Sequence, residues 1–389
     1  MRICVPIHSF EPGGVERVGL RLAERWQAAG HEVTVVLGRD RGPTRELMRA
    51  ATPDLAYVTR PEPVSTAAWE TPWLIWCLWR YLRRHPADAI FCAGNTYTIV
   101  CVMMKLLLGR RCPPVLVKIS NDLVRPDLPA PVQAMYRVWL RIQGRLLDRF
   151  VALAEPMLPQ LVDELAIAPD RATAIPDPAL RDDEMATSAV PPPPRGEGRH
   201  FLAVARLNRQ KNLPLLVDAF AGIAAPSDRL TIAGEGPERA RIERHIAALG
   251  LGPQVEMLGH VADVRPLLDA CHSLVLSSDY EGVPAVVTEA LAAGRPIATT
   301  DCCASMGWLL HHGEFGALAP VGHAGALGAA MERAAAMTPP VEAMRAIAAS
   351  FTLAKAVPSY LAAMQALVDP VAAHRADTPD NRSDRTAPC

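Results

Sequence analysis

The chain has 389 residues, half of them apolar and 21% charged, with 40 basic residues against 41 acidic ones. That composition supports two ordinary domains with proper cores and excludes a disordered tail protein or a single small module. A net charge of −1 writes no overall attraction to nucleic acid into the chain, and no nucleic-acid partner is expected.

From the N-terminus, a β-branched run at 3–7, a Gly-containing loop, a helical stretch at 15–29 and an apolar run at 32–37 read as a βαβ opening. Val15, Val18, Leu22, Trp26 and Ala29 recur every three or four residues and form one apolar stripe. Further strands are predicted at 89–92, 115–119, 150–153 and 173–175, separated by helical stretches, which spells a parallel sheet covered on both faces. The first domain is thus expected over 1–178. The pattern breaks at Pro176-Asp177-Pro178 and stays broken through Pro191-Pro192-Pro193-Pro194, a run that suits neither helix nor inner strand, so 179–198 reads as a Pro-rich linker.

The alternation then restarts, with strands predicted at 201–205, 229–233, 255–258, 273–276 and 296–299 and helices between them, giving a second domain over 199–350. Two Rossmann-like α/β domains joined in this way leave a central cleft between the carboxyl ends of their strands, where ligands are expected. A last helix is predicted at 353–367, within a segment 351–368 after the second domain, and the polar stretch 369–389 reads as a disordered tail. The nine cysteines are scattered, with no C-x-x-C or Cys/His pair at metal-ligand spacing, and suit a reducing compartment. No apolar run is long enough for a signal peptide or a membrane span. A cytoplasmic protein is expected.

Three segments carry chemistry. In Val204-Ala205-Arg206-Leu207-Asn208-Arg209-Gln210-Lys211-Asn212, Arg206 and Lys211 place two cations at a strand's carboxyl end beside a helix N-terminus, an arrangement that suits a diphosphate. In Ile232-Ala233-Gly234-Glu235-Gly236-Pro237-Glu238 the third glycine of a dinucleotide fingerprint is missing. The segment reads either as an ordinary tight turn or as one that lets backbone approach a phosphate or a sugar. In residues 277–296, Glu281 sits in a loop at a strand's carboxyl end, and Gly282 and Pro284 bring the N–H groups of a helix start toward a ligand. Glu289 lies further along that helix.

Together with Leu258-Gly259-His260-Val261 and the N-terminal Pro12-Gly13-Gly14-Val15-Glu16, these segments resemble the retaining nucleotide-sugar glycosyltransferases of family 4, of the GT-B fold and of bacterial polysaccharide or glycolipid type. The resemblance spans about residues 1–368. It implies a donor site in the second domain, with Arg206 and Lys211 on the diphosphate, Glu281 on the sugar hydroxyls and Glu289 on the ribose. The backbone around Leu258, Gly259, His260 and Val261 would lie near the base. Gly282, Val283, Pro284, Ala285 and Val286 would line the helix start, Gly234 would approach the donor, and Gly13 and Gly14 would approach the phosphates across the cleft. Arg206, Lys211 and Glu281 are the catalytic candidates.

Negative charge building on the leaving phosphate would be stabilised by Arg206, Lys211 and the helix dipole. No Asp-x-Asp motif occurs, and neither a metal nor another cofactor is expected. Family members retain anomeric configuration by same-face attack, the departing phosphate taking the acceptor's proton, and the resemblance implies the same here. The implied partners are a nucleotide-sugar donor, most simply a UDP-sugar supplying a hexose, and a lipid-linked or glycan acceptor. A GT-B nucleotide-sugar epimerase and a catalytically silent glycan-binding subunit are the alternatives.

The first domain departs from the family pattern. Many members carry a His after the strand equivalent to 115–119, where this chain has Ser120-Asn121-Asp122. Either Asn121 or Asp122 takes the sugar-contacting role, or His8 supplies the imidazole, and Asn95 and Ser120 are further acceptor-side candidates. The same domain is locally basic, with twelve basic and four acidic residues in 80–149. Arg137, Arg141 and Arg145 fall on one helical stripe beside Tyr136, Trp139 and Leu140, a face that suits an anionic leaflet, and peripheral association with the inner face of the plasma membrane is expected from it. The competing reading is a solvated face whose apolar side packs inward.

Overall fold

The computed structural model describes residues 1–369 apart from 12–13, 63–64, 67, 126–127, 188–190, 192 and 194–197. The predicted tail, from residue 370 on, lies outside the described residues, as do Gly13 and much of the Pro-rich run.

The β-branched runs become buried parallel strands, as expected of strands covered on both faces. Seven strands form the first sheet: β1 (Arg2–Ile7), β2 (Glu32–Leu37), β3 (Ala56–Val58), β4 (Ala89–Cys92), β5 (Val115–Lys118), β6 (Arg149–Ala152) and β7 (Ala172–Ala174). Their order is β3-β2-β1-β4-β5-β6-β7. Six form the second: β8 (His200–Val204), β9 (Arg229–Ala233), β10 (Val255–Gly259), β11 (Ser273–Leu276), β12 (Ile297–Thr300) and β13 (Gly316–Ala319), in the order β10-β9-β8-β11-β12-β13. Both sheets are doubly wound. The strand order reverses between β1 and β4 in the first and between β8 and β11 in the second, and such switch points open ligand crevices at the strands' carboxyl ends.

β3 and β13 were not legible in the sequence. β3 has three residues, and β13 reads Gly-Ala-Leu-Ala, without a β-branched side chain. Pairing with β12 from Gly316 to Ala319 makes it a strand, and a Cβ on Gly316 would come within 2.0 Å of the Ile297 carbonyl.

The chain separates into two compact units. One contains Met1–Lys118, Leu146–Phe150 and the chain from Val357 on, and the other contains Ile119–Arg145 and Val151–Ala356. Residues 119–145 and 151–178, placed with the first domain on sequence, therefore belong to the second unit. One local tie is at Asn121, which forms an antiparallel bridge with Gly282. The segment 179–198 is not a bare linker: Asp182–Ala186 is helical, and Leu180 bridges to Thr352. In the last helix, Leu353–Val368, the residues from Val357 on belong to the first unit, where Tyr360 packs against Trp26 and Phe91. The eight described cysteines are all buried and free.

The basic stripe lies on the helix Ala130–Leu146, but its apolar neighbours differ from the expectation. Leu140, Gln143 and Gly144 face inward, and a Cβ on Gly144 would meet the Leu165 carbonyl at 2.0 Å. Leu140 is thus a core residue, and Tyr136 and Trp139 are half-buried. The apolar side chains that reach the surface are Val132, Met135, Val138 and Ile142. Sequence periodicity could not make the choice, because apolar residues occupy both sides of this helix. Among the described residues, no helix is long and apolar enough to cross a membrane.

Candidate active site

The loop that leaves β8 is shaped by two asparagines. Asn208 caps a short turn by accepting the Lys211 N–H at 3.2 Å, and Asn212 sits at φ 43°, a left-handed conformation that Asn tolerates, before the helix Leu213–Ala221. The sequence reading placed both in the segment 204–212 without giving either a role, although Asn three places before Lys211 is a cap signature. This loop is fastened to the one leaving β11. Asp279 N–H donates to the Gln210 carbonyl at 2.8 Å, the Asn212 amide donates to Asp279 Oδ1 at 2.8 Å, and Gln210 Nε2 donates to the Tyr280 carbonyl at 2.9 Å. Ser277 Oγ donates to the Lys211 carbonyl at 2.8 Å.

The result brings Lys211 and Glu281 together as an ion pair across the switch point between β8 and β11. Their side chains are 16% and 7% exposed. Arg206 is exposed, and among the described residues no side-chain partner engages it. Two cations and one carboxylate thus sit at the carboxyl ends of the central strands of the second sheet.

Glu281 is held by its backbone. Its N–H donates to the Cys302 carbonyl at 3.2 Å, and its carbonyl accepts the Asp122 N–H at 3.0 Å. Ser305 Oγ donates to the Gly282 carbonyl at 2.6 Å, and Thr300 Oγ1 donates to the Ser278 carbonyl at 2.6 Å. Asp122 Oδ2 accepts the Ala304 N–H at 2.8 Å, so Asp122 joins the loop at 281 to the loop at 304. Burial raises the Asp122 carboxyl to about 6, against the lowering effects of the Ala304 N–H and the Gln160 side chain. Of the segment replacing the family His, Ser120 and Asn121 are half-buried, and Asn121 makes the bridge to Gly282. A Cβ on Gly282 would meet the Ser120 carbonyl at 2.4 Å, which accounts for that glycine by chain packing alone.

Other candidates occupy the same unit. Val283, Pro284, Ala285 and Val286 lead into the helix Ala285–Ala293, whose N-cap position is Pro284, and Glu289 is half-exposed on that largely buried helix. Arg295, at the far end of the same motif, is fully buried and donates to the Leu268 and Asp269 carbonyls at 2.6 and 3.1 Å. Gly234 and Gly236 are explained without a ligand: a Cβ would meet the Ala205 carbonyl at 1.8 Å and the Leu207 carbonyl at 2.4 Å. Gly234 N–H donates to the Gly259 carbonyl at 2.7 Å, aligning the end of β10 with this turn. Leu258 and His260 are exposed, Gly259 is buried and Val261 is half-exposed.

The remaining candidates lie in the first unit. His8 follows β1, is buried, stacks on Tyr97 with ring centroids 4.7 Å apart and places Nε2 3.1 Å from Thr71 Oγ1. Burial pushes its imidazole below the usual histidine range, opposed by the nearby Glu70 and Glu16 carboxylates. Tyr97 Oη donates to Glu16 Oε1 at 2.8 Å. Asn95 opens the short turn after β4, where its carbonyl accepts Thr98 Oγ1 at 2.8 Å, and Gly14 is the exposed first residue of the helix Gly14–Ala28.

Residues 12–178 match the family described as Glycosyltransferase Family 4, and residues 198–337 match the one described as Glycosyl transferases group 1. The chain belongs to the family 4 glycosyltransferases. Its two parallel-sheet, Rossmann-like halves are those of the GT-B fold. The structure of HepE from Anabaena, solved with UDP, superposes with a TM-score of 0.72 at 17% identity over 94% of this chain and 100% of that one. The galactosyltransferase WaaB of the lipopolysaccharide outer core does so with a TM-score of 0.71 at 17% identity, over 94% and 99%. Among curated relatives, the lipopolysaccharide core glycosyltransferase LpsE of Rhizobium meliloti is 29% identical over 34% of this chain and 38% of its own length. The exopolysaccharide phosphotransferase SCO2592 of Streptomyces coelicolor is 30% identical over 50% of this chain and 20% of its own. In both cases this family 4 chain matches well under half of the relative's length.

Proposed function

We propose that this family 4 chain transfers a hexosyl group, with retention, from a UDP-sugar to a lipid-linked or glycan acceptor in bacterial polysaccharide or lipopolysaccharide assembly. The observation that carries the reading is the Lys211–Glu281 pair at the switch point of the second sheet, with the unpartnered Arg206 on the same edge. Without donor, the cation and the carboxylate neutralise each other. With donor, Lys211 and Arg206 face the diphosphate, and Glu281 is left to accept hydrogen bonds from sugar hydroxyls. As the bond from the anomeric carbon to the phosphate oxygen breaks, its electron pair moves onto the phosphate, and the two cations stabilise that growing charge. The acceptor oxygen bonds to the anomeric carbon on the same face, and its proton passes to the departing phosphate. No protein nucleophile is required, and the chain's own contribution is charge and position.

The relative solved with UDP, and the names of relatives acting on lipopolysaccharide, support the choice of base and acceptor class. A thermal-shift screen against UDP, GDP and ADP sugars tests the donor, because a ligand that binds the folded state stabilises it by an amount that grows with ligand concentration relative to its Kd. Stabilisation by GDP or ADP sugars and not by UDP sugars overturns the base. The anomeric configuration of the isolated product, read by NMR, tests retention.

A further inference from the structure

The first unit carries an aromatic strip that reaches the surface. Trp69, at the N-cap position of the helix Glu70–Leu82, is followed by Trp73 and Trp76 at spacings of four and three, which puts the three rings on one face. Trp73 is buried and makes the strip continuous: its ring meets Trp69 edge-on with centroids 5.8 Å apart and stacks on Trp76 at 4.9 Å. Trp69 and Trp76 are 39% and 40% exposed. The strip is fixed to the sheet, because Trp73 Nε1 donates to the Gly38 carbonyl at 2.8 Å just past β2. Thr71 Oγ1 lies 3.1 Å from His8 Nε2 just past β1, so the helix start sits at the carboxyl edge of the first sheet, where its crevice opens.

The polar groups beside the rings narrow the occupant. Glu70, the residue after Trp69, pairs with Arg39, and the Arg60 guanidinium lies over the Trp76 ring, 5.6 Å from its centroid. A pyranose has the matching two-sided character. Its axial C–H groups make an apolar face that suits the negative face of an indole, and the hydroxyls on its rim donate to carboxylate oxygens and accept from guanidinium N–H groups. An apolar protein surface would cover the rings but would strip water from the Glu70–Arg39 pair and Arg60 without replacing it. A phosphate group would meet an Arg39 already shared between Glu70 and Glu62, the latter at 3.6 Å.

We infer that Trp69 and Trp76 form a stacking platform for a pyranose of the acceptor, with Arg39, Glu70 and Arg60 serving its hydroxyls. The inference rests on the proposed function and narrows it. The acceptor already carries sugar when it binds, so the chain extends a glycan and does not start one on a bare lipid carrier.

The test is binding of neutral oligosaccharides to the full chain without donor, with cellotetraose, mannotetraose and galactotetraose as probes, read by tryptophan fluorescence and saturation-transfer NMR. Wild type is expected to bind at least one of them. Trp69→Ala with Trp76→Ala should weaken that binding by at least about tenfold, and Trp69→Phe with Trp76→Phe should restore most of it, because a phenyl ring keeps a stacking face. Both exchanged side chains are partly exposed and the buried Trp73 is kept, so both variants should melt close to wild type and bind UDP as it does. Wild type that binds none of the three sugars, or an alanine variant that binds them as wild type does, overturns the inference. So does the alanine variant turning a dimer into a monomer while wild type ignores the sugars, since the strip would then join two copies. Wild type that binds a tetraose but no nucleotide sugar upholds the platform and overturns the donor reading, which keeps the two failures apart.

Discussion

Where its strand order reverses, the second sheet presents Lys211, Glu281 and Arg206, whereas the first presents His8, Tyr97 and Glu16. The two loops at the second edge are tied by four hydrogen bonds around an ion pair. At the first edge a buried imidazole stacks on a buried tyrosine. One topology therefore builds two crevices of opposite character, and side-chain charge decides which suits a nucleoside diphosphate. The glycines differ in the same way. Gly234 stands at φ 141° against the Ala205 carbonyl, while nothing lies within 4 Å of a Cβ at Gly14.

The largest effect expected from that contrast is on stability. Gly234→Ala should lower the unfolding free energy by about 4 kcal/mol through strain and clash, whereas Gly14→Ala should change it by less than about 1 kcal/mol. Urea titration of the two variants measures the gap, and equal stabilities would remove the packing explanation of Gly234.

Next in size is catalysis. Lys211→Ala and Glu281→Ala should each lose about a hundredfold or more in transfer rate, while His8→Ala at saturating donor should lose less than about tenfold, with UDP affinity unchanged. A larger loss in the His8 variant would move the chemistry to the first sheet. Lys211→Ala also leaves the buried Glu281 without its partner, so the double variant should be more stable than that single one.

The third effect separates Asp122 as a tie between loops from Asp122 as a charged sugar contact. Its carboxyl is raised from 3.8 to about 6, so between those values the folded protein holds a proton that the unfolded chain releases. Wild type thus loses stability as pH rises through that window, and above it the loss is complete. Asp122→Asn has no proton to release, so its stability relative to wild type should improve by about 2 kcal/mol between about pH 4 and pH 7. Parallel pH profiles for the two proteins would contradict the buried, raised carboxyl. Smallest of all, Glu289→Ala should weaken UDP binding by about tenfold without changing the fold, as calorimetry would show.

The sequence by itself determined the doubly wound halves and the position of the charged motif, because parallel strands read as β-branched runs and the candidate residues Arg206, Lys211, Glu281 and Glu289 cluster within two short segments, 204–212 and 277–289. It could not show that 120–122 joins the loop of Glu281, since that contact links residues about 160 positions apart through backbone groups every residue carries. It could not separate a glycine that admits a ligand from one crowded by its own chain, as at Gly234 and Gly282. Nor could it choose which apolar side of the helix Ala130–Leu146 faces water, because periodicity reports that a stripe exists and only packing against Leu165 and its neighbours decides which stripe is covered.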